Sequence, residues 1–196
     1  MGATDKQKRR KVAWGLSGAG DKIAEILEIM KGVKTEYENT VEMHVFLSKA
    51  AETVMKFYGL EEDLRKSFQK VYVELHANSP FLAGWMQLHK YEFLLIAPGT
   101  SNTVAKIALG IGDTMLTNAA SMSLKAFVPV YIMPVDYEEK TVYTKLPNGE
   151  DMKLRIRKED ADNVRRLKLM EDVYVLEDPQ KIPAVFEKWF GSNQST

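Results

Sequence analysis

Short apolar runs that end at glycine, serine or threonine and give way to helical spacing recur along this chain. That alternation restricts it to few architectures. The runs are Val12 to Trp14, Val41 to Leu47, Val71 to Val73, Phe93 to Ala97 and Val128 to Met133. Ile23, Ile26, Leu27 and Met30 follow the first at helical spacing, and Ala51, Val54, Met55 and Tyr58 follow the second. Strands alternating with helices over about 130 residues predict a parallel sheet wrapped by helices on both faces. Pro129 suits the fifth run to a strand start or an edge.

The ends of these runs are unusually polar. The fourth enters Thr100, Ser101, Asn102 and Thr103, then a helical pattern through Val104, Ile107, Ala108 and Ile111 that continues, whole or broken, to about Ala126. Such a junction places hydroxyls, an amide and unpaired backbone N–H groups at a helix start, where the dipole favours a phosphate. The first run ends at Gly15-Leu16-Ser17-Gly18-Ala19-Gly20, with Asp21 expected to cap a helix or stand in its first turn, and the second ends at Ser48. The first loop completes no known fingerprint. Ile23 stands where a dinucleotide motif needs its third glycine, Asp21 where a Walker A lysine belongs, and Ala19 where a hydrolase elbow needs glycine. Together the three loops suit a mononucleotide at the carboxyl edge of the sheet.

Later segments change period. Pro80 is expected to open a helix through Leu88, and residues 141–157 alternate around Asn148-Gly149, a hairpin signal. The hairpin reads as an arm over a ligand or a neighbouring subunit. A charged helix from Glu159 to Met170, a strand over Val173 to Leu176 and a helix from Pro179 to Phe190 complete a single 196-residue domain. A basic tail over residues 1–10 and a frayed tail over 191–196 are expected at its ends.

Composition removes several classes. Lys and Arg number 27, as do Asp and Glu, so no global field recruits nucleic acid. With no cysteine there is no disulfide, thiol nucleophile or iron–sulfur cluster held by this chain. The three histidines share no ligand spacing; His44, mid-strand, reads as a core residue, and no metal site is expected. No run approaches bilayer-spanning length and no secretory h-region is seen, so a cytoplasmic location is expected, with no membrane contact.

With its loops in view, the chain resembles the flavoproteins that include the homo-oligomeric flavin-containing cysteine decarboxylases. Gly15-Leu16-Ser17-Gly18, Ser48 and Ala97-Pro98-Gly99-Thr100-Ser101-Asn102-Thr103 carry the likeness, which continues to Asn118. It implies a three-layer Rossmann-like, flavodoxin-like fold that binds FMN, in trimers or multiples of trimers with flavin near a subunit interface. The resemblance also marks departures. Gly84 stands at the decarboxylase histidine, Met133-Pro134-Val135-Asp136 replaces Pro-Ala-Met-Asn, and the clamp cysteine is missing. Cysteine decarboxylation is therefore not expected.

The fuller pattern is similar to the archaeoflavoproteins and FMN-containing dihydromethanopterin reductases. It includes Asn78-Ser79-Pro80-Phe81, Pro129-Val130-Tyr131-Ile132 and Leu169-Met170-Glu171. That likeness implies redox work by FMN, with a separate ferredoxin-like donor and a small-molecule acceptor such as dihydromethanopterin. Ser17, Gly18, Ser101 and Thr103 are expected at the phosphate, with Gly15 also in the cofactor site. Ser48, Thr100 and Asn102 would lie at ribityl or ring atoms, with Met133 and Pro134 beside the ring. A flavin prenyltransferase consuming reduced FMN, or a non-catalytic FMN-binding protein, would use the same fold.

Overall fold

The structure, a computed structural model, describes residues 9–146 and 148–191. Most of the expected basic tail, the expected tail beyond Gly191, and Pro147 of the hairpin turn lie outside the described residues.

Six parallel strands run in the order β3-β2-β1-β4-β5-β8. They are β1 (Arg10–Leu16), β2 (Val41–Leu47), β3 (Val71–Val73), β4 (Leu94–Gly99), β5 (Val130–Pro134) and β8 (Val173–Val175). Helices cover both faces, as the alternation requires. The fold is flavodoxin-like.

One apolar layer takes Val12, Trp14 and Leu16 of β1 and Phe93, Leu95 and Ala97 of the β4 segment. It packs them under α1 (Ile23–Glu36), α2 (Lys49–Phe57), α3 (Glu61–Ser67) and α8 (Ile182–Phe190). The alternate residues Ala13, Phe46, Leu94, Ile96 and Ile132 face α4 (Leu82–Gln87), α5 (Ser101–Ala108), α6 (Met115–Lys125) and α7 (Lys158–Leu167). Period two in the strands and 3.6 in the helices thus sort one continuous sheet into two dry layers.

Several boundaries differ from expectation for local reasons. β1 runs on through Gly15 and Leu16, because each pairs with a β2 residue. Asp21 does not cap α1; Lys22 holds that position in a left-handed conformation, φ 57°, with no side-chain cap bond. α4 starts at Leu82, not Pro80. Of the two forms expected through residue 126, whole or broken, the broken one is found: two helices, separated where Gly110 takes φ +72° and Thr114 begins a reciprocal cap with Thr117. Pro129 precedes β5, and β5 is interior, lying between β4 and β8. The last helix is prefaced by a 3-10 turn, Pro179–Lys181.

The hairpin forms as expected, from β6 (Lys140–Lys145) and β7 (Asp151–Ile156), as a two-stranded sheet separate from the main one. Ile156 is buried, while Tyr143, Met152 and Leu154 remain exposed. His44 sits in the core, 4% exposed, between Tyr91 and Glu42. No helix among the described residues is long and apolar enough to cross a membrane.

Candidate functional site

From β1 the chain moves outward through β2 to β3, then returns to the other side of β1 as β4. Strand order therefore reverses between β1 and β4, and the carboxyl ends of those strands flank the crevice where ligands of open α/β sheets bind. The polar loops expected from the sequence meet at this edge.

Ser17 forms the floor. Its hydroxyl donates to Pro98 O at 2.8 Å and accepts from Thr100 N at 2.7 Å, and its own N–H reaches Pro98 O at 3.1 Å. At 2% exposed, the side chain is spent on joining the β1 and β4 loops. Ser48 N donates to Leu16 O at 3.0 Å, bringing the β2 end to the same floor. The Ser48 hydroxyl accepts from Ala51 N at 3.0 Å as the cap of α2, leaving its own hydrogen to give.

The wall opposite is the start of α5. Thr100 caps it: its hydroxyl accepts from Thr103 N at 3.2 Å and lies 3.0 Å from the Thr103 hydroxyl. Asn102 is exposed, and its side chain makes no hydrogen bond among the described residues. Ser101 donates to Asp136 Oδ2, so a carboxylate already stands at this helix start. Asp136 also raises the nearby Asp21 carboxyl, whose pKa is lifted chiefly by burial and pulled back by Lys22.

Two glycines let backbone approach backbone. A Cβ on Gly18 would lie 2.5 Å from Ala50 Cβ, and one on Gly99 would lie 3.1 Å from Ile132 Cγ1. Gly15 acts differently: its missing side chain makes room for Leu116 of α6, 2.6 Å from where a Cβ would sit. That glycine packs a helix within the strand below the crevice. Met133 also stands apart, because its side chain is 1% exposed in the layer beneath α1 and α8. Pro134 is buried opposite Gly99, where it lines the loop by its backbone register. Gly84 leaves a space filled by the Phe81 ring, whose Cε1 lies 2.0 Å from an ideal Cβ.

Glu74, one residue past β3, escaped the sequence reading. It is 8% exposed, and accepts from Met115 N at 2.7 Å and from Lys49 N at 3.3 Å. The only hint in the sequence is an acid directly after Val71-Tyr72-Val73.

The fold and these loops define a mononucleotide-binding α/β protein with its ligand edge at the β1/β4 switch point. The chain belongs to the Flavoprotein family, whose model matches residues 2–181. It is 46% identical over 178 residues to an uncharacterized protein of Methanocaldococcus jannaschii, covering 91% of this chain and 95% of that protein. It is 32% identical over 235 residues to the dihydromethanopterin reductase (acceptor) of the same organism, covering 90% of this chain and 95% of the relative. Among solved structures it is similar to Burkholderia xenovorans DmrB in complex with FMN, described as a cubic protein cage for redox transfer. That match has a TM-score of 0.79 and 32% identity, covering 95% of this chain and 98% of the other. The expected branch of flavoproteins is thereby met.

The residues present fit a flavin mononucleotide. Gly18 lets the β1 loop close against Ala50 at the start of α2, and α5 offers the Ser101 and Asn102 amides, ahead of the capped Thr103, with the Asn102 side chain beside them.

Proposed function

We propose that this chain is an FMN-dependent oxidoreductase of the dihydromethanopterin reductase type. In this reading it takes electrons from a separate ferredoxin-like donor and passes them to a pterin-like acceptor. The observation that carries the reading is the convergence of the Ser17, Ser48 and Thr100 loops at the β1/β4 switch point, with the Ser101 and Asn102 amides of α5 left to meet a phosphate. Bound FMN would supply a ring able to take one or two electrons.

The chain's own residues bind and orient. The Ser101 and Asn102 amides and the Thr103 hydroxyl take the phosphate, Gly18 holds the β1 loop against Ala50 beside it, and Ser48 and Asn102 donate to ribityl or ring atoms. Ser17 and Thr100 keep the two loops at fixed separation. Met133 supports the β5 end from the core. Because the chain has no cysteine, an iron–sulfur donor must be another protein. Copies of the chain assemble, in multiples of three, and the β6–β7 arm reaches a neighbour; its exposed Tyr143 and Leu154 and its separation from the main sheet support that.

The test is anaerobic. The purified protein should bind FMN, accept electrons from reduced ferredoxin, and be reoxidised at catalytic rates by dihydromethanopterin. A protein that neither carries flavin nor binds FMN on titration would overturn the reading. No observation on this structure favours the prenyltransferase alternative.

A further inference from the structure

Glu74 differs from the other buried acid among the described residues. Asp160, 6% exposed, is paired with Arg157. Among the described residues Glu74 has no ion pair, and its two oxygens accept only backbone N–H groups. An ionised carboxylate has that pattern, accepting at both oxygens and donating at neither. The donors are the first residues of two separate helices, Lys49 of α2 and Met115 of α6. One carboxylate therefore draws together two helix starts that belong to opposite faces of the sheet, and cancels the positive end of each.

The placement bears on the crevice. Helices following parallel strands begin at the carboxyl edge, so α1, α2 and α5 present their starts there, and the Met115–Glu74 bond brings the start of α6, which follows α5, to the same edge. Glu74 takes the first amides of α2 and α6, which leaves the β1–α1 turn and α5 to receive a phosphate: Asp136 at the α5 start binds the Ser101 hydroxyl and not the Ser101 and Asn102 amides. Lys49 adjoins Ser48, so the carboxylate lies next to the end of the crevice that the phosphate does not use.

We propose that Glu74 is a positioning residue for the flavin: it directs the phosphate to the α5 side and sets a fixed negative charge beside the ring. The inference rests on the FMN reading above. Its redox consequence follows from charge alone. The reduced ring readily loses a proton and becomes anionic, so a neighbouring carboxylate weakens binding of reduced FMN relative to oxidised FMN.

The test compares Glu74→Gln with Glu74→Asp in the full-length protein. The glutamine variant should favour reduced over oxidised FMN by about tenfold more than the wild type does. For a two-electron couple that raises the midpoint potential by about 30 mV. The aspartate variant, which perturbs the same contacts but keeps the charge, should stay close to the wild-type potential. If both variants lose thermal stability while neither moves the potential, Glu74 is a structural tie only and the proposal falls. Should neither variant fold, the wild type decides: the proposal requires it to bind reduced FMN more weakly than oxidised FMN, and the opposite order overturns it. A wild type that binds FMN while Glu74→Gln leaves the potential unmoved defeats this inference alone. A wild type that binds no FMN defeats the functional reading with it.

Discussion

Ser17 and Thr100, 83 residues apart in the chain, are joined by one hydroxyl that accepts the Thr100 amide at 2.7 Å. The same hydroxyl donates to Pro98 O at 2.8 Å, so neither its proton nor the Thr100 amide is left for a ligand. The serine expected at the phosphate thus clamps the β1 and β4 loops in register.

Ser17→Ala should therefore cost more than a surface hydroxyl. The Thr100 N–H and part of the Pro98 carbonyl lose their partner in a site that is 2% exposed at residue 17. An unsatisfied buried donor costs about 1–3 kcal/mol. Denaturant unfolding should show a loss of that size, and FMN affinity should fall about tenfold or more as the loops separate. Unchanged stability with weakened FMN binding would return Ser17 to the role of direct ligand.

Two glycines should respond in opposite directions to alanine. At Gly18 the new Cβ would sit 2.5 Å from Ala50 Cβ and 3.1 Å from its backbone carbon, which cannot swing aside. Gly18→Ala should destabilise by about 1–3 kcal/mol and weaken FMN binding. Gly32, inside α1, has nothing within 4 Å of an added Cβ. Gly32→Ala should raise stability by about 0.5–1 kcal/mol through helix propensity, with FMN affinity unaltered. Thermal melts and flavin titrations on both variants check the contrast.

Asp136 makes a different prediction, because its carboxylate accepts from Ser101 at the helix start expected to meet phosphate. Removing that like charge by Asp136→Asn should strengthen FMN binding about fivefold, near 1 kcal/mol for charges a few ångströms apart in a wet site. Riboflavin, which lacks the phosphate, is the control and should bind the variant and the wild type alike. Equal gains for both ligands would show that Asp136 does not face the phosphate.

The His44 cluster predicts an acid-sensitive core. Burial holds the His44 imidazole below its ordinary value of 6.5 despite the nearby Glu42. Lys70, and secondarily His44, lower the Glu42 carboxyl from 4.5 to about 2. Both groups bind fewer protons folded than unfolded, so stability falls as pH falls. The His44 share should begin to disappear below about pH 6.5, and the Glu42 share between 4.5 and about 2. Melting temperature followed from pH 8 to 3 should show both declines. His44→Gln should remove the upper one and leave the lower. A melting temperature level between pH 7 and 5 would contradict the assignment.

Much of the fold was legible because its signals are local. The alternation of apolar runs with helical periods placed all six strands of the main sheet, and Asn148-Gly149 placed the hairpin. His44 was readable as a core residue from its position within Val41 to Leu47. The break between α5 and α6 was less plain, since Gly110 ends a helix only when it takes a left-handed conformation. Gly15 looked like part of a ligand loop because a glycine that admits a ligand and one that admits Leu116 are spelled alike. The layer that Met133 enters was hidden for a related reason: alternation fixes that neighbours point oppositely, and packing decides which layer receives which.

The sequence by itself determined the order of strands and helices and the three polar strand ends from which the crevice is built. Periodicity and turn chemistry are properties of a few adjacent residues, so they survive without the fold. Tertiary structure alone decided which polar groups were consumed in construction and which stayed open. Ser17 is spent on Pro98 and Thr100, 81 and 83 residues away, and Glu74 on two helices that the chain reaches 25 residues before and 41 residues after it. A buried hydroxyl or carboxylate must satisfy its bonding wherever partners arrive. Those partners are brought by the sheet's crossing order, which no local stretch encodes.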